Sequence, residues 1–208
     1  MFDIFKKNKI TREKRFWNWF SENKEKLENF ITSDFSDYSI YNRLTKELQK
    51  YNPLLFPEIT INENDKFVLI ITPDGMSDGV IPTQKLFDKK PEFENWIIKK
   101  FRQPTDEIGL SFDGLDYGSS DIKIDYFVDY EREKVDIKLL INNYNEKDKR
   151  YESLAWLYLD HILGEFNTIS KVGAVIFEKV NEKKEKDELI SILELRKLID
   201  KELYKAST

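Results

Sequence analysis

The chain has 208 residues, of which 40% are hydrophobic, 14% aromatic and 35% charged, a balance that calls for a packed core under a solvated surface and excludes a disordered segment. Its 39 acidic and 34 basic side chains leave a net charge of -5, which opposes general binding to nucleic-acid phosphates. Without cysteine there are no disulfides, thiolate zinc sites or thiol nucleophiles, and a cytoplasmic location is the expectation.

From the N-terminus, residues 1–10 read as a flexible, basic start in which Lys6, Lys7 and Lys9 lie near Phe2 and Phe5. No apolar h-region follows them, and the longest apolar runs, such as "FVLII" at 67–71, are far below the roughly 20 residues that span a bilayer. Neither a signal peptide nor stable membrane insertion is expected. In "ITREKRFWNWFSENKEKLENFI" a helical stripe of Phe16, Phe20, Leu27 and Ile31 predicts one helix, and Ile40, Leu44, Leu48 and Tyr51 predict a second, stopped by Pro53. Together they make a helical hairpin over 11–52.

Strand patterns dominate the next part. "PEITI" and "KFVLIIT" around "NEND" predict a β-hairpin whose second strand, apolar on both faces, is central. "PDGMSDG" reads as turns, "TQKLFDKK" as a short helix and "NWIIKKFRQP" as a strand ending at Pro104. In "DIKIDYFVDYEREKVDIKLLI", Ile124, Tyr126 and Val128 alternate with Lys123, Asp125 and Phe127, and Val135, Ile137, Leu139 and Ile141 with Asp136, Lys138 and Leu140, the mark of an antiparallel hairpin with one wet face. A helix over "KDKRYESLAWLYLDHIL", a two-sided strand over "TISKVGAVIFE", a charged connector and a last helix over "LISILELRKLIDKELY" complete the order. The expected fold is α+β: a mainly antiparallel sheet with a ferredoxin-like core, an N-terminal helical hairpin and a C-terminal helix, forming one domain over 1–208 with its sheet body at 53–208.

The sole histidine, in "LYLDHILGEF", is the natural place to look for catalysis. At about 100° per residue, His161 sits at the border of the core face set by Leu154, Tyr158 and Ile162, and Asp160 on the wet side, so the two side chains diverge. Glu165 follows His161 by four residues but lies beyond Gly164, a helix C-cap. A carboxylate-based, possibly metal-assisted hydrolase would therefore have to bring His161 and Glu165 together on a concave site. No Gly-x-Ser-x-Gly elbow, phosphate-binding glycine loop or calcium-loop spacing occurs, and no cofactor or metal is expected.

Two other groups qualify as binding residues. Between Leu110 and Asp136 eight carboxylates face three cations, and Asp113, Asp116, Asp121, Asp125 and Asp129 offer a face to a basic protein. In "FWNWF", Trp17 lies about 100° from Phe16 and is a candidate hot spot, with core packing as the competing role.

"FWNWF", "ITPDGM", "PEFENWIIKKFRQP" and "LYLDHILGEFNTISKVGAVIFE" together resemble a family of uncharacterised bacterial proteins with a Trp-rich first helix, a Pro-x-x-x-x-Trp segment ending in Phe-Arg, and a Leu-Gly-Glu turn. The resemblance implies a bacterial cytoplasmic α+β protein, carries no activity with it, and draws attention to Trp96, Phe101, Arg102 and Gly164-Glu165. The leading expectation is a non-enzymatic protein-binding domain, an immunity-type inhibitor or an adaptor. A hydrolase is the first alternative. Self-association through the stripe of Leu189, Ile192, Leu193, Ile199 and Leu203 is the second.

Overall fold

The computed structural model describes residues 10–105, 109–180 and 189–204. The basic start at 1–9 and most of the charged connector, 181–188, lie outside them. The chain divides into two compact units, 1–101 and 102–208, with the boundary inside the stretch that the sequence marks as one sheet body.

In the first unit, helix α1 (Arg12–Thr32) starts where the Thr11 hydroxyl accepts the Lys14 N–H at 3.2 Å, satisfying one orphan donor of the first turn. Its stripe buries Phe16, Trp17, Phe20, Leu27, Phe30 and Ile31, and α2 (Ser39–Tyr51) adds Ile40, Leu44 and Leu48. Each such side chain contributes about 1.5–3 kcal/mol on full burial. The helical hairpin thus forms as the periodicity predicts.

Strands β1 (Phe56–Ile61) and β2 (Phe67–Thr72) pair antiparallel; after α3 (Val80–Phe87), β3 (Trp96–Lys100) pairs parallel to β2, giving the order β1-β2-β3. β2 is central, as its two apolar faces require, and Leu69, Ile71, Trp96 and Ile98 join the helices in one core. Helix α3 begins three residues before Thr83, the predicted start. β3 stops well short of Pro104, because Phe101 takes φ 64°, a left-handed turn that no strand continues through.

The second unit opens with a ribbon of β4 (Leu110–Phe112) and β5 (Leu115–Tyr117). The long hairpin of β6 (Ile122–Asp129) and β7 (Lys134–Ile141) follows in the alternating register expected. Helices α4 (Arg150–Leu163) and α5 (Glu165–Lys171) lead to β8 (Val172–Lys179), parallel to β7, while β9 (Ile190–Ser191) pairs antiparallel with β6 and runs into α6 (Ile192–Leu203). The order is β8-β7-β6-β9. Leu154, Tyr158 and Ile162 of α4 and Ile192, Leu195 and Ile199 of α6 cover Ile124, Ile137 and Leu139. Most of the C-terminal stripe is therefore taken up by its own core.

Residues 168–171, expected as the start of a strand, form the last turn of α5. Gly164 causes this: at φ 76° it ends α4 and lets the chain restart as a second helix. A Cβ there would meet the Pro104 ring at 2.9 Å.

The molecule is α+β with antiparallel pairs in the majority, an N-terminal helical hairpin and a C-terminal helix. The strands assigned to one ferredoxin-like core are instead shared between two sheets. Each sheet is built alike, from a hairpin, a helical crossover and a third strand parallel to the second.

Candidate functional site

Of the two residues proposed for catalysis, Glu165 is held inward and His161 is half-buried. Glu165 is fully buried: one carboxylate oxygen accepts the Arg102 backbone N–H at 3.2 Å, and the other lies 3.8 Å from the Arg102 guanidinium. The same guanidinium reaches Asp160 at 3.3 Å, so Asp160 is largely covered instead of sitting on the wet side. Burial, reinforced by the Glu165 charge, pushes the Asp160 carboxyl above its ordinary range, against the opposing pull of Arg102. The His161 carbonyl accepts the Thr105 N–H at 2.7 Å, and Arg102 C=O accepts the Glu165 N–H at 3.1 Å. Segment 102–105 is thereby strapped across the α4–α5 junction. A fully buried carboxylate turned onto an arginine acts as a clamp at this junction.

Trp17 is buried, with 3% of its surface exposed, and its indole N–H donates to the Leu86 carbonyl at 2.9 Å. Trp96 is buried as well and donates to Glu28 at 2.7 Å. Neither ring is on the surface where a partner contact needs it: α1 presents a wider apolar face than the Phe16–Phe20 stripe alone indicates, and Trp96 packs from β3 against Phe20 and Phe67.

The acidic stretch does not stay bare. Asp121 accepts from the Gly118 N–H and the Asn142 amide, Asp129 closes the β6–β7 turn through Arg132, and Asp125 stands opposite Lys138 in the ladder. The Asp113 carbonyl accepts from Arg150, while Asp113 and Asp116 themselves are exposed on the β4–β5 ribbon. The carboxylates are thus spread over a ribbon, a turn and a sheet face, interleaved with cations.

The feature that stands out is the edge of the second sheet. Exposed edges carry unpaired backbone groups, and proteins blunt them with proline, charge or brevity. Edge β1 contains Pro57 and Glu58, edge β3 has only five residues and ends in Lys99 and Lys100, and edge β9 has two residues. β8 is eight residues long, with no proline and no charge before Glu178.

Its register shows which groups are turned out. Val180 N–H donates to the Ile141 carbonyl at 3.2 Å, so by the alternation of a parallel ladder Ile176 and Glu178 also face β7. Val175, Phe177 and Lys179 then direct N–H and C=O away from the sheet, without a backbone partner among the described residues. On the helical side Phe177 stacks with Tyr144 (6.4 Å between ring centres) and takes the edge of Trp156 at 6.3 Å; Trp156 is 42% exposed. On the opposite side Ile176 is 53% exposed beside Lys138. At the C-terminal end of β8 a groove of about 710 Å³ opens between the strand and the 143–146 loop, lined by Tyr144, Glu146, Phe177, Glu178 and Lys179.

The start of β8 is fixed by a bulge against β7. Asp136 accepts the Ala174 N–H at 2.7 Å, and its carboxylate occupies the space a Cβ on Gly173 would need. That N–H, with Arg132 next in weight, holds the Asp136 carboxyl below its usual value. Sequence reading expected a two-sided strand here; the strand forms, but Ala174, Ile176 and Glu178 are exposed on one face, and no local signal gave its edge position, which depends on pairing with β7, more than thirty residues earlier in the chain.

Among the described residues no helix is long and apolar enough to cross a membrane, and no group of three or more histidine or carboxylate side chains converges as a metal site. No family model, curated protein or solved structure matches the chain.

Proposed function

We propose that the chain is a protein-binding module, an adaptor or an inhibitor of the immunity type, that takes an extended segment of its partner as an added strand on β8. The observation that carries this reading is the eight-residue edge, which has no strand beside it among the described residues and turns out the N–H and C=O of Val175, Phe177 and Lys179. Backbone groups so presented give an extended peptide its affinity, and the flanking side chains give it specificity. Each new hydrogen bond contributes a net of about 0.5–1.5 kcal/mol, so a short run of them suffices for a reversible complex.

The test is selection of random twelve-residue peptides, displayed on phage, against the full chain and against Val175→Pro. Val175 points its N–H away from β7, so proline removes an outward donor while leaving the inner ladder whole, which circular dichroism verifies. Peptides that bind the native chain and lose the proline variant are the expected result. Failure to enrich any peptide, or equal binding to both proteins, rejects strand addition.

A further inference from the structure

The surroundings of Phe177 narrow the class of partner. Resting on the strand-addition reading, we propose that the added segment carries an aromatic or large aliphatic side chain on its helical side, packed against Phe177 and Trp156. The two faces of β8 are unlike. On the helical side stand Val175 and Phe177, both half-buried on the core, and the Trp156 ring reaches Phe177 from α4 with 6.3 Å between ring centres. On the other side Ile176 stands beside Lys138, which pairs with Glu178 at 3.3 Å. Side chains of an added strand alternate between these two surfaces, and the one opposite Phe177 shares its side of the sheet.

Trp156 sets the chemistry. Trp17 and Trp96 are buried and Trp19 is half-buried, whereas Trp156 leaves 42% of its surface in water beside the eight-residue edge. The carboxylates one helical turn to either side of it already hold cations, Glu152 with Lys149 at 2.8 Å and Asp160 with Arg102 at 3.3 Å. The rings, and not an unpaired charge, are therefore what this side of the edge presents to a newcomer. An apolar side chain laid there removes its own surface and that of Trp156 and Phe177 from water, and an aromatic one adds an edge-to-face or offset-stacked contact. A polar side chain in the same place gives up its hydration for the flank of two rings.

Synthetic eight-residue peptides test this. They share an alternating Val-Thr scaffold in which one position at a time carries Phe, Ser or Lys, and binding to the full chain is read by fluorescence polarisation. At one scanned position the Phe peptide is expected to bind about tenfold tighter than its Ser counterpart and to move the tryptophan emission to the blue. That preference should fall to about threefold or less in Trp156→Ala, with circular dichroism verifying the fold. In Trp156→Phe the preference should persist while the emission shift disappears. Equal affinities of the Phe and Ser peptides at every position, with binding still lost in Val175→Pro, overturn the apolar preference and leave strand addition standing. So does a preference that survives whole in Trp156→Ala, or a Lys peptide that gains as much as the Phe peptide. Absence of binding by every peptide removes both readings. Dimerisation of the free chain that disappears in Val175→Pro assigns the edge to a second copy and overturns the proposal.

Discussion

Asp160 carries its carboxylate in a place where burial and the neighbouring Glu165 both oppose ionisation, against the weaker pull of Arg102 and a hydrogen bond from Thr168. With the native carboxyl raised above its ordinary value of 3.8, the folded chain holds this proton to higher pH than the unfolded chain does. Stability from this group is therefore full below 3.8 and is lost as pH rises through the native value. Asp160→Asn lacks the titration, so the native chain is expected to lose stability relative to the variant as pH climbs from 3.8 towards neutrality, measured by urea unfolding at a series of pH values. A constant difference, or one that grows in favour of the native chain, means that Arg102 outweighs burial. The residues singled out by the family resemblance also have folding roles: Trp96 bonds Glu28, Phe101 ends β3 with its positive φ, and Arg102, Gly164 and Glu165 form the strap.

At the scale of elements, legibility follows how local the cause is. The α1 and α2 stripes, the β1–β2 turn and the alternation of β6 and β7 are written within a few residues of each other, and these six elements form where their local patterns place them. The α5 turn was hidden because "TISK" carries the β-branched residues of a strand, while the helix there depends on Gly164 closing against Pro104, some sixty residues earlier in the chain. The site was hidden for a related reason: edge position belongs to the sheet order, which no local pattern encodes. Gly173 shows how closely β8 is fitted to β7. Gly173→Ala forces the Asp136 carboxylate off the Ala174 N–H and so removes the hydrogen bond that fixes the start of β8. Faster amide exchange confined first to β8, together with a lower denaturation midpoint, is the expected readout. Unchanged exchange at Ala174 and Ile176 contradicts this account of the bulge.

On the scale of the whole molecule, the repeated plan of hairpin, helical crossover and parallel strand gives each unit a complete sheet and a core of its own. Both outer strands finish in two charged residues, and they differ in the uncharged run before them, three residues in β3 and six in β8. The longer uncharged run makes β8 the edge on which the strand-addition proposal rests. If the open edge belongs to a self-sufficient unit, residues 102–208 contain all that it needs: β6 to β9, both faces of the α4 and α6 packing, and the Arg102 strap. A unit of this length lies within the range in which a single core sustains a fold. Expressed alone, this segment is expected to show mixed helix and strand ellipticity, to unfold cooperatively in urea, and to retain the peptides that the full chain selects. A random-coil spectrum refutes the self-sufficiency of the second core. A folded segment that has lost the peptides means that β8 needs more than its own sheet to bind.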